Sequence, residues 1–172
     1  MAESTDSSQP LIPLIKATLA LDAFSSDWKH CDQTANYLAQ FVSADRPDPS
    51  VFSNLLSTVL NEILEVIYGH HPGMGSALVA IGTVRQEIHI EITLPVDDTT
   101  RRFYAEALDP LKTEDPAVLY QRELERLYSG PPHPAMGLYE LAADYGAKIE
   151  KKEIDSSTLA ISVRLSISSG ED

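Results

Sequence analysis

Three polar side chains, Asn61, Glu62 and Glu65, flank a run that is otherwise apolar, Val51-Phe-Ser-Asn-Leu-Leu-Ser-Thr-Val-Leu-Asn-Glu-Ile-Leu-Glu-Val-Ile-Tyr68. A glutamate beside a buried stripe is a candidate general base, and equally an ordinary solvated residue of an amphipathic helix. Asn61 and Glu65 stand four residues apart, so their oxygens share a helix face and could contact a metal or a phosphate. Surface polar pairs at that spacing are also commonplace. Met136-Gly137-Leu138 opens a second short helical run. Backbone N–H groups at a helix start can hold a phosphate, and the same residues can be a plain loop-to-helix junction. His70-His71 is a poor metal pair, because adjacent residues do not share a helix face and no third ligand is in view; both are read as loop histidines. Trp28 and Tyr37 are expected in the core or at an interface, and become walls if a pocket holds a planar cofactor. Arg101-Arg102 and Lys151-Lys152 read as solvated charges. Hydrolase chemistry has no motif of the Gly-x-Ser-x-Gly kind here.

The elements that must position these residues follow from periodicity. Phe52, Leu56, Val59, Leu60, Ile63, Leu64 and Ile67 recur at three and four, which predicts a helix over 51–68 with one buried face. Ser50 is its expected N-cap and Gly69 its expected terminator. Leu11 to Leu21 is expected as a strand. Asp27 is expected to cap a helix running to about Val42, and Ala44-Asp-Arg-Pro-Asp-Pro49 to connect it to the next. Ala77, Val79 and Ile81 alternate, as do Ile88, Ile90 and Ile92, predicting two half-buried strands joined around Val84-Arg85-Gln86. Pro95 is expected to close the sheet edge. Asp97 or Asp98 and Asp115-Pro116 signal two helix starts, and Ser129 to Pro134 is a proline-rich hinge or lid-like linker. A helix from Gly137 to Tyr145 stops at Gly146, and two strands, Ala147–Ile154 and Thr158–Ile167, finish the chain. Together these give an α+β, two-layer sandwich with helices on one face of a largely antiparallel sheet.

Composition bounds the function. The chain has 172 residues, enough for one domain, here taken as 11–167 between a flexible leader 1–10 and a tail 168–172. With 26 acidic against 13 basic residues the net charge is −13, which argues against nucleic acid or an anionic membrane and favours a basic protein surface. Cys31 is the only cysteine, so an internal disulfide and a Cys-x-x-Cys metal site are both excluded. No apolar run approaches the roughly 18 residues that span a bilayer, and a cytoplasmic location is the expectation.

Several segments, taken together, resemble one family. Leu60-Asn-Glu-Ile-Leu-Glu65 is similar to the N-box helix of the histidine-kinase-like (GHKL) ATPases. Met136-Gly-Leu-Tyr-Glu-Leu-Ala-Ala-Asp-Tyr-Gly-Ala147 and the strand pair after it resemble that fold's last glycine box, helix and hairpin. Thr113-Glu-Asp-Pro-Ala-Val-Leu-Tyr120 and the strand–Trp28–helix opening resemble a narrower group, the SiaB-type bacterial kinase-like regulators. The likeness runs from about residue 12 to about residue 167. It implies a GHKL-like sandwich, an ATP or ADP pocket, and a small regulatory protein as the partner that is bound and, in active members, phosphorylated on Ser or Thr. Glu62 matches the family's general base; Asn61, Glu65, Met136, Gly137 and Leu138 would contact the nucleotide. The family's Mg²⁺-holding asparagine falls on Val66, which carries no oxygen. Its Asp-x-Gly-x-Gly place reads Ile92-Thr-Leu-Pro-Val-Asp-Asp98, and its phosphate loop Pro131-Pro-His-Pro-Ala-Met-Gly137. Weak or absent ATPase activity is therefore expected. The alternative is a non-enzymatic sensor or scaffold whose pocket takes another adenine-containing ligand such as a flavin (FAD). A homodimer working through the 97–128 helices is a further expectation.

Overall fold

The computed structural model describes residues 11–84 and 86–166. The expected leader 1–10, the tail 168–172, Ile167 and Arg85 of the hairpin turn lie outside the described residues. In chain order the elements are β1 (Ile15–Ala20), α1 (Leu21–Phe24), α2 (Lys29–Ser43), α3 (Pro49–His70), β2 (Ser76–Val84) and β3 (Glu87–Pro95). They continue with α4 (Asp98–Leu108), a 3-10 turn at Pro110–Lys112, α5 (Pro116–Arg126), α6 (Met136–Asp144), β4 (Lys148–Asp155) and β5 (Thr158–Ser166).

The five strands form one antiparallel sheet in the order β1-β2-β3-β5-β4. Its inner face is built by alternation. Val79 pairs with Ile92, Ile81 with Ile90, Ile92 with Ile161 and Ile90 with Val163, so branched apolar side chains line up across three neighbouring strands. The intervening Glu87, His89, Glu91 and Thr93 face away from the core. Against the inner face lies α3, burying Phe52, Leu56, Val59, Leu60, Ile63, Leu64, Val66 and Ile67. Each such side chain contributes roughly 1.5–3 kcal/mol by leaving water, an upper figure because the unfolded chain already hides part of that surface. The helices share one side of the sheet, as the periodicity predicts.

Local details differ from the expectations in instructive ways. The first strand stops at Ala20, and Leu21–Phe24 coils instead, burying Leu21 and Phe24. Asp48, not Ser50, occupies the N-cap of α3, with Pro49 at the first helical position and no side-chain cap. Gly69 does not end α3. The His71 N–H still donates to the Ile67 carbonyl at 2.9 Å, and the left-handed glycines after α3 are Gly73 and Gly75 (φ 73° and 82°). Gly146 does terminate α6, at φ 63°. Pro95 ends the central strand rather than an edge, and its carbonyl lies 2.6 Å from His71 Nε2. Asp97 caps α4 through Thr100 N–H at 2.7 Å, and Asp115 caps α5 through Ala117 N–H at 2.8 Å. Trp28 and Tyr37 are not core residues: they are 59% and 65% exposed. Arg101 and Lys151 are not free surface charges either. Arg101 donates to the carbonyls of Asp155 and Ser156 and pairs with Glu153, while Lys151 Nζ sits 3.6 Å from both Asp109 and Glu153, tying α4 to β4.

At Gly82 the segment before β1 crosses the outer face of the sheet. A Cβ there would stand 2.6 Å from the Ile12 carbonyl oxygen, so only glycine admits the crossing. Among the described residues α3 alone is long and apolar enough to cross a bilayer, which departs from the expectation that no run comes near; here its apolar face lies on the sheet.

Candidate functional site

Asn61, Glu62 and Glu65 leave α3 in different directions. Consecutive helical residues point about 100° apart, so Asn61 faces the α2 side while Glu62 faces α6. Asn61 Nδ2 donates to Glu65 Oε1 at 2.8 Å, and its Oδ1 is buried without a partner. Together with Trp28, Lys29, Asp32 and Gln33 these two residues line a cavity of about 350 Å³ between the start of α2 and the middle of α3. Cys31 lies close by on α2. Burial, and then the charge of Glu65, push its thiol up to about 11, so it stays protonated at neutral pH and is no nucleophile.

Glu62 is partly buried, and its carboxylate rests on the backbone of Gly137. A Cβ at Gly137 would overlap Glu62 Oε2, the far end of a flexible side chain that would then have to turn aside. Burial is the main reason its carboxyl holds its proton more tightly than usual, followed by the negative charges of Glu65 and Glu140. Raised proton affinity suits a general base. Gly137 lies on the Oε2 side of Glu62.

Two features bear on the Mg²⁺-bound nucleotide that the resemblance implies. Val66, which the resemblance sets where a metal-holding asparagine would stand, is 5% exposed and belongs to the core. Mg²⁺ demands oxygen donors, and the Val66 side chain has none. The start of α6 has also spent much of its donor capacity. Ala135 N–H donates to His133 Nδ1 at 3.1 Å, Met136 N–H to the His133 carbonyl at 2.9 Å, and Leu138 N–H to the Ala135 carbonyl at 2.9 Å. Leu138 itself is 1% exposed and packs in the core, so its side chain offers nothing to a ligand. Of the residues singled out in the sequence, Glu62 and Gly137 come together, Asn61 and Glu65 line a separate cavity, and Leu138 is structural.

Sequence reasoning missed a polar–aromatic cluster that fixes the linker before α6. Phe103 of α4 stacks with two imidazoles, His70 with ring centres 4.1 Å away and His133 at 5.9 Å, each at 5° from parallel. Glu123 of α5 is 5% exposed; its Oε2 accepts from His133 N–H at 2.9 Å, and Arg126 pairs with it at 3.2 Å. Burial lowers the proton affinity of His133, keeping the ring neutral and its Nδ1 free to accept from Ala135. The lid-like linker is thereby pinned at its centre. Glu123 occupies what reads as an ordinary polar position of an amphipathic helix, so no pattern marks it. His70, expected in a loop, is the last residue of α3.

No protein-family model matches the chain, and no curated protein sequence matches it. Among solved structures, a chain of the SiaB–SiaC complex from Pseudomonas aeruginosa is similar, with a TM-score of 0.60 over 89% of this chain and 89% of that chain at 17% identity. That likeness shows the fold: the chain is an α+β sandwich of the SiaB type, with its helices on one face of an antiparallel sheet.

Proposed function

We propose that this protein is a regulator that works by binding a small partner protein, with phosphoryl transfer weak or absent. The observation that carries the reading is the Glu62 carboxylate lying on the Gly137 backbone while Val66 is sunk in the core. The family's base is kept and its metal ligand is lost, so the helix that would organise nucleotide chemistry instead braces α6. Support for a protein partner comes from the fold, since the similar solved chain belongs to a protein–protein complex. The net charge of −13 favours a partner with a basic face. Calorimetric titration with a SiaC-type protein of the same organism, with and without ATP and Mg²⁺, tests this. A complex whose affinity is unchanged by nucleotide is the expected result; no complex, or one that forms only with ATP, overturns it.

One observation favours a second reading, in which a pocket holds an adenine-containing ligand such as a flavin. The exposed Trp28 ring lines the cavity with Asn61 and Glu65, and indole faces suit planar ligands. A visible absorbance spectrum of the freshly purified protein decides it: a yellow protein supports this reading, and a colourless one removes the flavin.

A further inference from the structure

We propose that the cavity between the start of α2 and the middle of α3 seats an arginine side chain of a protein partner, its guanidinium held against the Trp28 indole by Asp32 and Glu65. The proposal deepens the partner-binding reading and rests on it for the source of the arginine. The lining decides the chemistry. Asp32 and Glu65 are carboxylates, Gln33 and Asn61 are amides, Trp28 is the aromatic and Lys29 the one cation. Among the described residues no ion pair joins Lys29 to either carboxylate. Asp32 Oδ1 accepts from Asn36 Nδ2 at 2.9 Å and Glu65 Oε1 from Asn61 Nδ2 at 2.8 Å, which leaves the second oxygen of each carboxylate for a guest. Asn61 Oδ1 is buried without a hydrogen-bond partner, a deficit that an entering N–H removes.

A helix start ordinarily favours an anion, but this one is already satisfied. Lys29 N–H donates to Asp27 Oδ1, His30 N–H to the Asp27 carbonyl and Cys31 N–H to the Trp28 carbonyl, each at 3.0 Å. The acceptors that remain call for a donor-rich cation. A guanidinium brings five N–H groups in one plane and stacks on an aromatic face while it bonds carboxylates, and the exposed Trp28 ring offers that face. At about 350 Å³ the cavity stands at the small end of ligand sites, roughly 300–1,000 Å³, a size that suits one long side chain. The net charge of −13 draws a cationic surface toward it. Lys29 competes with the guest for the two carboxylates, so its removal strengthens the seat.

Trp28 is the only tryptophan, so its indole N–H resonance reports on this cavity alone. Titration of the full chain with N-acetyl-arginine amide shifts that resonance saturably, with an affinity on the order of 1 mM, the range open to a small polar ligand. N-acetyl-citrulline amide, neutral and of the same shape, leaves it unmoved. Glu65→Gln and Asp32→Asn each weaken arginine-amide binding severalfold, whereas Lys29→Ala tightens it. A SiaC-type protein that binds moves the same resonance, and Glu65→Gln weakens the complex severalfold. An indole that ignores arginine amide, or responds equally to citrulline amide, overturns the seat. Saturable movement by FAD and none by arginine amide gives the cavity to the second reading and overturns it too. A complex that leaves the Trp28 resonance unchanged and keeps full affinity in Glu65→Gln overturns the seat while the partner reading stands. Arginine-amide binding with no complex supports the seat and overturns the partner reading instead.

Discussion

Adding a methyl group at Gly137 gives a sharp test of the α3–α6 packing. In a Glu62→Ala background the space beside residue 137 is open, and alanine exceeds glycine in helix propensity by up to about 1 kcal/mol, less near a helix start. Gly137→Ala should therefore stabilise that variant by a few tenths to about 1 kcal/mol. In the wild-type background the same Cβ overlaps Glu62 Oε2. The carboxylate must rotate out, which offsets part or all of the propensity gain. The cycle of two single variants and the double variant should then show a coupling of roughly 1 kcal/mol, within the range seen for contacting residues. Urea unfolding of all four proteins measures it. With an m-value of roughly 2 kcal/mol/M, that coupling moves the midpoint by about 0.5 M between backgrounds. Identical shifts caused by Gly137→Ala with and without Glu62 would refute the contact.

Three further outcomes follow from other parts of the fold. Gly82→Ala drives a Cβ to 2.6 Å from the Ile12 carbonyl and 2.8 Å from Leu11 Cδ1; it should cost about 1–3 kcal/mol and expose residues 11–13 to proteolysis, both readable from unfolding curves and limited digestion. Glu123→Ala strands the part-buried His133 N–H and frees the linker, costing about 1–3 kcal/mol, with faster amide exchange in residues 129–135 as its signature. Tyr104 is fully buried and its hydroxyl has no partner, so Tyr104→Phe should be neutral or stabilising by about 1 kcal/mol in the melting curve, where removing a bonded hydroxyl would destabilise.

The layers of this fold were legible because they repeat. The spacing of Phe52 to Ile67 announces a one-sided helix, and the alternation of Ile88, Ile90 and Ile92 announces a half-buried strand; in the structure both present those residues to a single core. Punctuation was harder. Gly69 can occupy a helix without penalty beyond entropy, so its presence did not stop α3, and Gly73 and Gly75 make the turn instead. Leu21–Phe24 continues an apolar run, and periodicity over so few residues does not separate strand from helical turn. The site was the least legible part. Glu62 and Gly137 were each marked by resemblance, but their direct contact is a tertiary fact that no local spacing encodes. Asn61 and Glu65 read as companions of Glu62 on one flank, yet the helical rotation between residues 61 and 62 sends them to a different cavity.

The most direct measurement of the central claim is phosphoryl transfer from γ-labelled ATP with Mg²⁺, run on the full chain with a bound SiaC-type partner present. The account predicts an intact complex in which neither protein gains label above a no-enzyme control. Rapid, Glu62-dependent labelling of the partner would contradict it, because a buried Val66 and a Glu62 held against Gly137 would then have to support catalysis that this geometry denies them.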